Sequence, residues 1–152
     1  MKNRLAYAAL AAVLLIVLVI SISGISAASH TPKSMRINST TLNFTAVETT
    51  TQQQEQGLMN STVNESTLVL FDFGNADYYN FWMYDTYYNL DILWVKNDRI
   101  VYIAENATPC VHVDPSSCTL YSPNAIANYV VEAKAGFAKK YDIKIGSIVN
   151  IS

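Results

Sequence analysis

The chain has 152 residues, 51% of them hydrophobic, and its 10 basic and 12 acidic residues give a formal net charge of −2. This length supports one domain with a modest core once the apolar first 28 residues are set aside. Without Lys2 and Arg4, which lie in that segment, the net charge changes from −2 to −4. We expect no nucleic-acid partner, because a domain of this charge lacks the basic surface that nucleic acid requires.

The first segment, residues 1–28, has the composition of a membrane anchor or a signal peptide. Residues 5–20 contain no polar side chain other than Tyr7. The apolar length is sufficient for a helix that spans a bilayer, whereas the small residues at 26–28 suit cleavage by signal peptidase. The two basic residues before the apolar run favour a cytoplasmic N-terminus. We therefore expect a domain outside the cytoplasm, either membrane-anchored or secreted.

Two further features agree with an extracytoplasmic domain. The glycosylation acceptor pattern Asn-x-Ser/Thr occurs six times, although a surface rich in Asn, Ser and Thr also produces it by composition. The candidate acceptors are Asn38, Asn43, Asn60, Asn64, Asn106 and Asn150. The two cysteines, Cys110 and Cys118, lie close together in the chain. An oxidising compartment favours a disulfide between them.

The domain is expected to follow a short tether, residues 29–34, and to occupy residues 35–152. Apolar and polar residues alternate where the domain begins, which is the pattern of strands. Thr50 or Thr51 can cap a short helix that Gly57 ends. The elements predicted in this half are strands at 35–37, 42–46 and 67–73, a helix at 52–56 and a turn at 74–77.

The stretch from Phe81 to Val95 holds both tryptophans and carries two carboxylates among its apolar residues. Its aromatic and β-branched residues favour strands, with a connection at 86–89. The turn pair Asn97-Asp98 predicts a β-hairpin between strands at 91–96 and 99–105. The remaining expected elements are an irregular loop at 107–124, a strand at 129–133, a helical turn at 136–141 and a strand at 147–151.

The pattern as a whole predicts a mainly β (α+β) fold. Many short strands with one or two short helices are typical of a compact domain that resembles a β-barrel or a β-sandwich. One N-terminal hydrophobic helix is expected to precede this domain.

Several sequence blocks also have an order and spacing that can be compared with a known family. They are Gln56–Met59, Leu70–Phe73, Phe81–Met83 with Asp85-Thr86, Leu90–Ile92, Pro109-Cys110, Tyr129–Glu132 and Ile143–Gly146. Across nearly all of residues 42–151, these blocks resemble the domain-of-unknown-function 192 family. The resemblance implies a small, often exported prokaryotic protein with a compact β-rich domain, and it implies no established biochemical activity.

The chain departs from this family in three places. Tyr84 and Asp85 stand where a Lys-Asn pair is usual, and Asn89 stands where proline usually precedes Leu90. The third departure is the Asn97-Asp98 turn, which replaces an Asp-Gly type of turn. Because the lysine is lost and a carboxylate is gained, an anionic ligand inferred for relatives is not expected here.

Acidic residues near apolar or aromatic stretches are the candidates for chemistry. They are Asp85, Asp91, Glu55, Glu105 and Glu132. A carboxylate-dependent hydrolase needs two acids across a cleft, one with a raised pKa and one ionised. A hydrolase of envelope glycans or peptides would pair Asp85 or Asp91 with Glu55 or Glu105.

Binding without catalysis is the preferred interpretation of the same region. Trp82, Tyr84, Asp85 and Asp91 are expected to line a groove, because aromatic faces stack on sugar rings and carboxylates accept hydrogen bonds from hydroxyl groups. A structural interpretation remains open, in which Asp91 accepts backbone N–H groups and the aromatic residues fill the core.

No cofactor or metal is expected. The glycines are scattered singly, so no phosphate-binding loop is present, and no Gly-x-Ser-x-Gly motif occurs. Cys110 and Cys118 could hold a metal with His112, but an oxidising compartment favours the disulfide. We expect a ligand-binding or structural module, with the membrane as a partner through the N-terminal helix. An envelope glycan, a peptide or a protein is the candidate for its other partner.

Overall fold

Residues 31–152 form eight strands and two short α-helices in this computed structural model, which describes that part of the chain. The elements are β1 (Ser34–Ile37), β2 (Thr40–Asn43), β3 (Ala46–Glu48), α1 (Thr51–Gln56), β4 (Leu68–Asp77), β5 (Leu90–Lys96), β6 (Arg99–Ala107), β7 (Ala127–Lys134), α2 (Phe137–Lys140) and β8 (Val149–Ile151). The predicted anchor or signal peptide, residues 1–28, lies outside the described residues. Across residues 31–152, no helix is long and apolar enough to cross a membrane.

The strands form two open sheets. A small sheet has the antiparallel order β2-β1-β8, and a large sheet has the order β3-β4-β7-β5-β6. In the large sheet, β3 runs parallel to β4 and the other neighbours are antiparallel. The predicted mainly β class with short helices is confirmed.

The large sheet is buried on both faces. One face packs against the small sheet and α2 through a cluster that includes Leu93, Val131 and Val149. The other face packs against residues that follow α1 and precede β5, among them Leu58 and Met83. Burial on both faces explains why β4, β5 and β7 contain nearly continuous apolar runs rather than an alternating pattern.

Two local predictions are confirmed because their sequence signals act over a few residues. Thr50 caps α1, and its hydroxyl accepts a hydrogen bond from the Gln53 N–H in a capping box. Gly57 ends the helix with φ 46°. Asn97 and Asp98 both have positive φ, 49° and 57°, as a two-residue hairpin turn requires.

Two other predictions differ from the structure because long-range pairing decides them. Strand β4 continues through residues 74–77, which the sequence predicts as a turn. Asp77 pairs there with Ala127 after a register shift, and Gly74 takes φ 70°. Phe81 and Tyr84 lie in isolated bridges, to Tyr121 and Cys110, instead of in a regular strand.

Candidate functional site

An open cleft of about 300 Å³ lies beside α1, and we call it the α1 cleft. It is lined by Thr51, Gln54, Glu55, Phe73, Tyr79, Asn80, Phe81 and Trp82. This volume is at the lower end of the range for sites that bind small molecules.

Aromatic side chains form the apolar wall of the α1 cleft. Phe73 and Tyr79 stack with their ring centroids 3.6 Å apart, so each ring already has one face covered. The indole N–H of Trp94 donates a 2.8 Å hydrogen bond to the Tyr79 carbonyl, which fixes the backbone of this wall. Trp82 is 41% exposed and contacts Tyr84 at a centroid distance of 5.5 Å. Trp82 is therefore the aromatic residue of this wall with the most surface open to a ligand.

The polar wall of the cleft is α1, which is attached to the large sheet by one side chain. None of the helical residues is buried. The amide nitrogen Nε2 of Gln54 donates hydrogen bonds to the Asp72 carbonyl at 2.9 Å and to the Glu48 carbonyl at 3.2 Å. Because these carbonyls belong to β4 and β3, Gln54 positions the helix over both strands.

A narrow chamber of about 30 Å³ adjoins the α1 cleft between α1 and the large sheet, and Glu132 is one of its lining residues. This space, which we call the Glu132 chamber, shares Gln54, Glu55, Phe81 and Trp82 with the cleft. Glu132 is only 4% exposed, and its Oε2 has no hydrogen-bond partner among the described residues. The chamber has room for one group of about the size of a water molecule.

Gly57 keeps space open beside the Glu132 carboxyl group. A Cβ atom at this position would lie 3.2 Å from Cζ of Phe71 and 3.9 Å from Oε2 of Glu132. The positive φ of 46° also favours glycine here. Any side chain at position 57 would narrow the Glu132 chamber.

Acidic groups dominate the electrostatics of this site. Burial, with a smaller contribution from the negative charge of Glu48, raises the pKa of Glu132 from 4.5 to about 8. Burial also raises the pKa of Glu48. Glu55 lines both the cleft and the chamber, and no lysine, arginine or histidine of residues 31–152 lines either. Glu132 is accordingly mostly protonated at pH 7, and the site disfavours anions.

Asp91, in contrast, points to the opposite face of the large sheet, because it alternates with Leu90 and Ile92 along β5. Its Oδ1 accepts a hydrogen bond from the Asn106 N–H at 2.9 Å. Its Oδ2 accepts two more, from the N–H groups of Gly136 at 3.1 Å and Ala138 at 2.9 Å. Gly136 has no side chain to cap α2, so Asp91 satisfies the first N–H groups of that helix. This is the structural arrangement that the sequence left open for Asp91.

The other predicted acids are spread over the molecule. Asp85 has φ 49°, and its backbone N–H donates to the Cys110 carbonyl while its own carbonyl accepts from Asn60. Glu105 is exposed on β6. Of the four acids expected to form catalytic pairs, Glu55 alone lines the α1 cleft, and of the four expected binding residues, Trp82 alone does so.

The profile of the domain-of-unknown-function 192 family (DUF192), described as "Uncharacterized ACR", matches residues 34–151. The chain belongs to the DUF192 family.

Solved structures of two proteins are similar to this chain. A protein of unknown function from Novosphingobium aromaticivorans DSM 12444 is 28% identical, with a TM-score of 0.64 over 78% of this chain and 83% of that one. A "putative transcription regulator" from Sinorhizobium meliloti 1021 is 29% identical, with a TM-score of 0.67 over 81% of this chain and 95% of that one. No curated protein is significantly similar to the chain.

The disulfide lies beside the position where this DUF192 chain carries Tyr84 and Asp85. Cys110 and Cys118 are bonded, with their Cα atoms 5.7 Å apart, which confirms the predicted bridge. Tyr84 forms a bridge with Cys110, so the disulfide loop is attached to the segment that ends at Asp85. Neither sulfur is a free thiolate for a metal site with His112. Within residues 31–152, no three His, Cys, Asp or Glu side chains are grouped in a way that would hold a metal ion.

The candidate glycosylation sites of this DUF192 domain are mostly at the surface. Five of the six asparagines are exposed and Asn150 is half-buried. The exposed five are Asn38, Asn43, Asn60, Asn64 and Asn106. Their occupancy stays a prediction.

The sequence places Glu132 among the candidate acids but in neither the predicted catalytic pairs nor the predicted groove, and it does not mark Gln54 or Tyr79 as site residues. A signal for Glu132 is present, because it is the one carboxylate in the apolar run from Tyr129 to Ala133. A carboxyl group in a strand that is buried on both faces must be neutral or partnered. Gln54 and Tyr79 carry no comparable signal, since their positions depend on how α1 packs on the large sheet.

Proposed function

We propose that this DUF192 domain is a non-catalytic binding module outside the cytoplasm, membrane-anchored or secreted, and that it binds a small ligand in the α1 cleft. The observation that carries the proposal is the exposed indole of Trp82 in an aromatic cleft that shares four lining residues with the Glu132 chamber, where Oε2 of the buried Glu132 has no hydrogen-bond partner among the described residues. Binding sites typically combine an apolar wall with a few polar groups that fix orientation.

The lining of the cleft limits the ligand to certain classes. Trp82 offers a flat apolar face, and Gln54, Asn80 and Glu55 offer polar groups near it. Because acids line the site without a basic residue among those described, the ligand is uncharged or positively charged. A sugar ring of an envelope glycan and the side chain of a peptide both have a suitable apolar face.

Isothermal titration calorimetry of the full chain in detergent micelles tests this function. The panel comprises neutral oligosaccharides, short peptides and sugar acids, and the Trp82→Ala variant is compared with Tyr88→Ala, an exposed aromatic residue outside the cleft. We expect a neutral or cationic member to bind and Trp82→Ala to weaken it about tenfold, as the loss of one aromatic contact implies. The proposal fails if no member binds, or if both variants bind as the parent does.

One observation favours a carboxylate-dependent hydrolase as the second candidate. Glu132, whose pKa is raised to about 8, shares its chamber with Glu55. An acid with a raised pKa suits a proton donor, so Glu132 and Glu55 would be the pair, in place of Asp85 or Asp91. The oligosaccharides or peptides that bind are incubated with the parent protein and with Glu132→Gln, which distinguishes a hydrolase from a binding module. Cleavage that the variant abolishes establishes the enzyme, and recovery of intact ligand establishes binding alone.

A further inference from the structure

We propose that the Glu132 chamber binds a primary alkylammonium group, which forms an ion pair with the Glu132 carboxylate after the carboxyl proton has left for the solvent. The inference rests on the proposed function, because the apolar part of the same ligand occupies the α1 cleft. It deepens that function by naming the ligand class, an alkylamine with an otherwise uncharged stem.

The shape of the chamber fits such a group. Its volume of about 30 Å³ accommodates one small polar group, and an ammonium head is of that size. Oε2 of Glu132 is buried and lacks a hydrogen-bond partner among the described residues. Gly57 leaves the space beside this oxygen free of side-chain atoms.

The charges around the chamber favour a cation over a neutral group. Glu48 acts on Glu132 from β3, and Glu55 lines the chamber from α1. Its other lining groups, including Phe71 on β4 and Thr86 before β5, are uncharged. The salt bridges found within residues 31–152 join Lys134 to Glu65 and Lys144 to Asp142, and none of these residues lines the chamber. An incoming ammonium group thus adds the missing positive charge.

Aromatic rings supply the second part of the recognition. Phe71, Phe81 and Trp82 all line the chamber. Aromatic faces attract cations, and this attraction grows when the cation is removed from water. The apolar stem of the ligand then lies against Trp82 in the cleft, where an acidic head group would be repelled.

Proton balance makes the binding dependent on pH. The free site is protonated below pH 8, so the ammonium group and the carboxylic acid give an ammonium–carboxylate pair and one proton, which passes to the buffer. Affinity therefore rises about tenfold per pH unit towards pH 8. It then stays constant until the amine itself loses its proton near pH 10, by analogy with lysine.

Calorimetry of the full chain in detergent micelles with 5-amino-1-pentanol and 1,5-pentanediol tests the inference. The two probes share one stem and differ in an ammonium or a hydroxyl group. Titrations at pH 6, 7 and 8, in buffers of different ionisation heat, count the protons released. We expect the amine to bind at least tenfold more tightly than the diol at pH 8, and to release about one proton at pH 6.

Two variants provide the controls. Glu132→Gln is expected to abolish proton release and the preference for the amine, whereas Glu105→Gln, at an exposed position outside the site, retains both. If Glu132→Gln does not fold, the number of protons released by the parent protein on amine binding still tests the inference. Equal binding of both probes without proton release overturns the inference and leaves the cleft function standing. Absence of amine binding also overturns it, and the oligosaccharide and peptide panel then decides the cleft function separately.

Discussion

Asp91 and Glu132 are two buried acids on neighbouring strands, and their surroundings give them opposite properties. Asp91 accepts three backbone hydrogen bonds on one face of the large sheet. Glu132 lies on the other face with an oxygen that has no partner among the described residues. Burial without such hydrogen bonds favours the neutral acid and raises the pKa of Glu132. Asp91 therefore serves the fold, and Glu132 is the acid on which the proposed ligand site depends.

The first prediction concerns Asp91. Asp91→Ala leaves three backbone N–H groups of Asn106, Gly136 and Ala138 without their acceptor, so we expect the free energy of unfolding to fall by about 3 kcal/mol. Urea denaturation followed by circular dichroism measures this loss. Glu105→Ala, an exposed substitution on β6, is the control and should change stability by less than about 0.5 kcal/mol. Equal effects of the two substitutions would contradict the assignment of Asp91.

The second prediction concerns Glu132 and pH. Its pKa is raised on folding, from 4.5 to about 8, so the native state holds this proton more tightly than the unfolded state does. Stability contributed by the protonated form is complete below pH 4.5 and is lost as pH rises to about 8, by up to about 5 kcal/mol. Urea denaturation from pH 5 to pH 9 should show this decline in the parent and in Glu105→Gln. Glu132→Gln should show a much smaller decline of the free energy of unfolding with pH. An equal decline in Glu132→Gln and in the parent would contradict the prediction.

Composition identified the acids near apolar segments, but not the partner of each one. Asp85, Asp91 and Glu132 all lie in such segments, and the sequence treats them alike. They differ in the groups that each carboxylate contacts. For Asp91, these groups belong to residues at least 15 positions away in the chain. Long-range packing sets those partners, so local patterns could predict the candidates but not the site.

At the scale of elements, α1 is held by its ends and by one side chain rather than by a buried face. Its cap at Thr50 and its end at Gly57 follow from local chemistry, and the sequence predicted both. Its position over β3 and β4 depends on Gln54, which the sequence did not mark. An element with so few buried contacts is expected to open at low free-energy cost.

The third prediction tests the junction at the end of α1. Gly57→Ala is compared with Gly74→Ala, because both glycines have positive φ, 46° and 70°, but only the Cβ at position 57 meets neighbours within 4 Å. Both positions carry the strain of a positive φ, and Gly57 adds a ψ of −129°, outside the left-handed helical region, and the contact with Phe71. In urea denaturation, we expect Gly57→Ala to lower the free energy of unfolding by about 1 kcal/mol more than Gly74→Ala does. Equal losses would show that the chamber tolerates an added methyl group.

The fourth prediction concerns the disulfide loop. Cys110 and Cys118 are eight positions apart, and their bond closes the loop between them. Replacement of both by serine opens this loop, and loop-closure entropy predicts that the free energy of unfolding falls by about 2.5 kcal/mol. Thermal unfolding with and without reductant measures it in the parent, and the double variant should not respond to reductant. Because Cys110 also bridges to Tyr84, ligand binding at neighbouring Trp82 should weaken as well. An unchanged melting temperature of the parent protein on reduction would show that the disulfide does not stabilise the domain.

At the scale of the molecule, the small sheet completes the core of the large one. The strands that the sequence predicts at both ends of the domain, β1 and β8, are neighbours in one sheet. The existence of these strands could be predicted from their apolar residues. Their pairing could not, because 112 positions separate Ile37 from Val149 and no local pattern encodes such a distance.

The fifth prediction follows from this closure. Val149 is fully buried and pairs with Ile37, whereas the adjacent Ile148 is 66% exposed. Val149→Ala should lower the free energy of unfolding by about 2 kcal/mol, as loss of buried methyl groups does, and Ile148→Ala should change it by less than about 0.5 kcal/mol. Urea denaturation compares the two neighbours directly. Similar losses at both positions would mean that β8 is not part of the core.

The pairing of β1 with β8 also determines where the domain can be circularly permuted. The backbone N–H groups of Lys33 and Ser34 both donate to the Ser152 carbonyl, at 2.7 and 2.9 Å. A short linker from residue 152 to residue 33 would therefore join two points that already touch, and new chain ends could be opened in the exposed loop at residues 113–117. Such a circular permutant would keep both sheets. Its chain ends would lie in this exposed loop, so the stability of the two sheets could be measured in a chain of different connectivity.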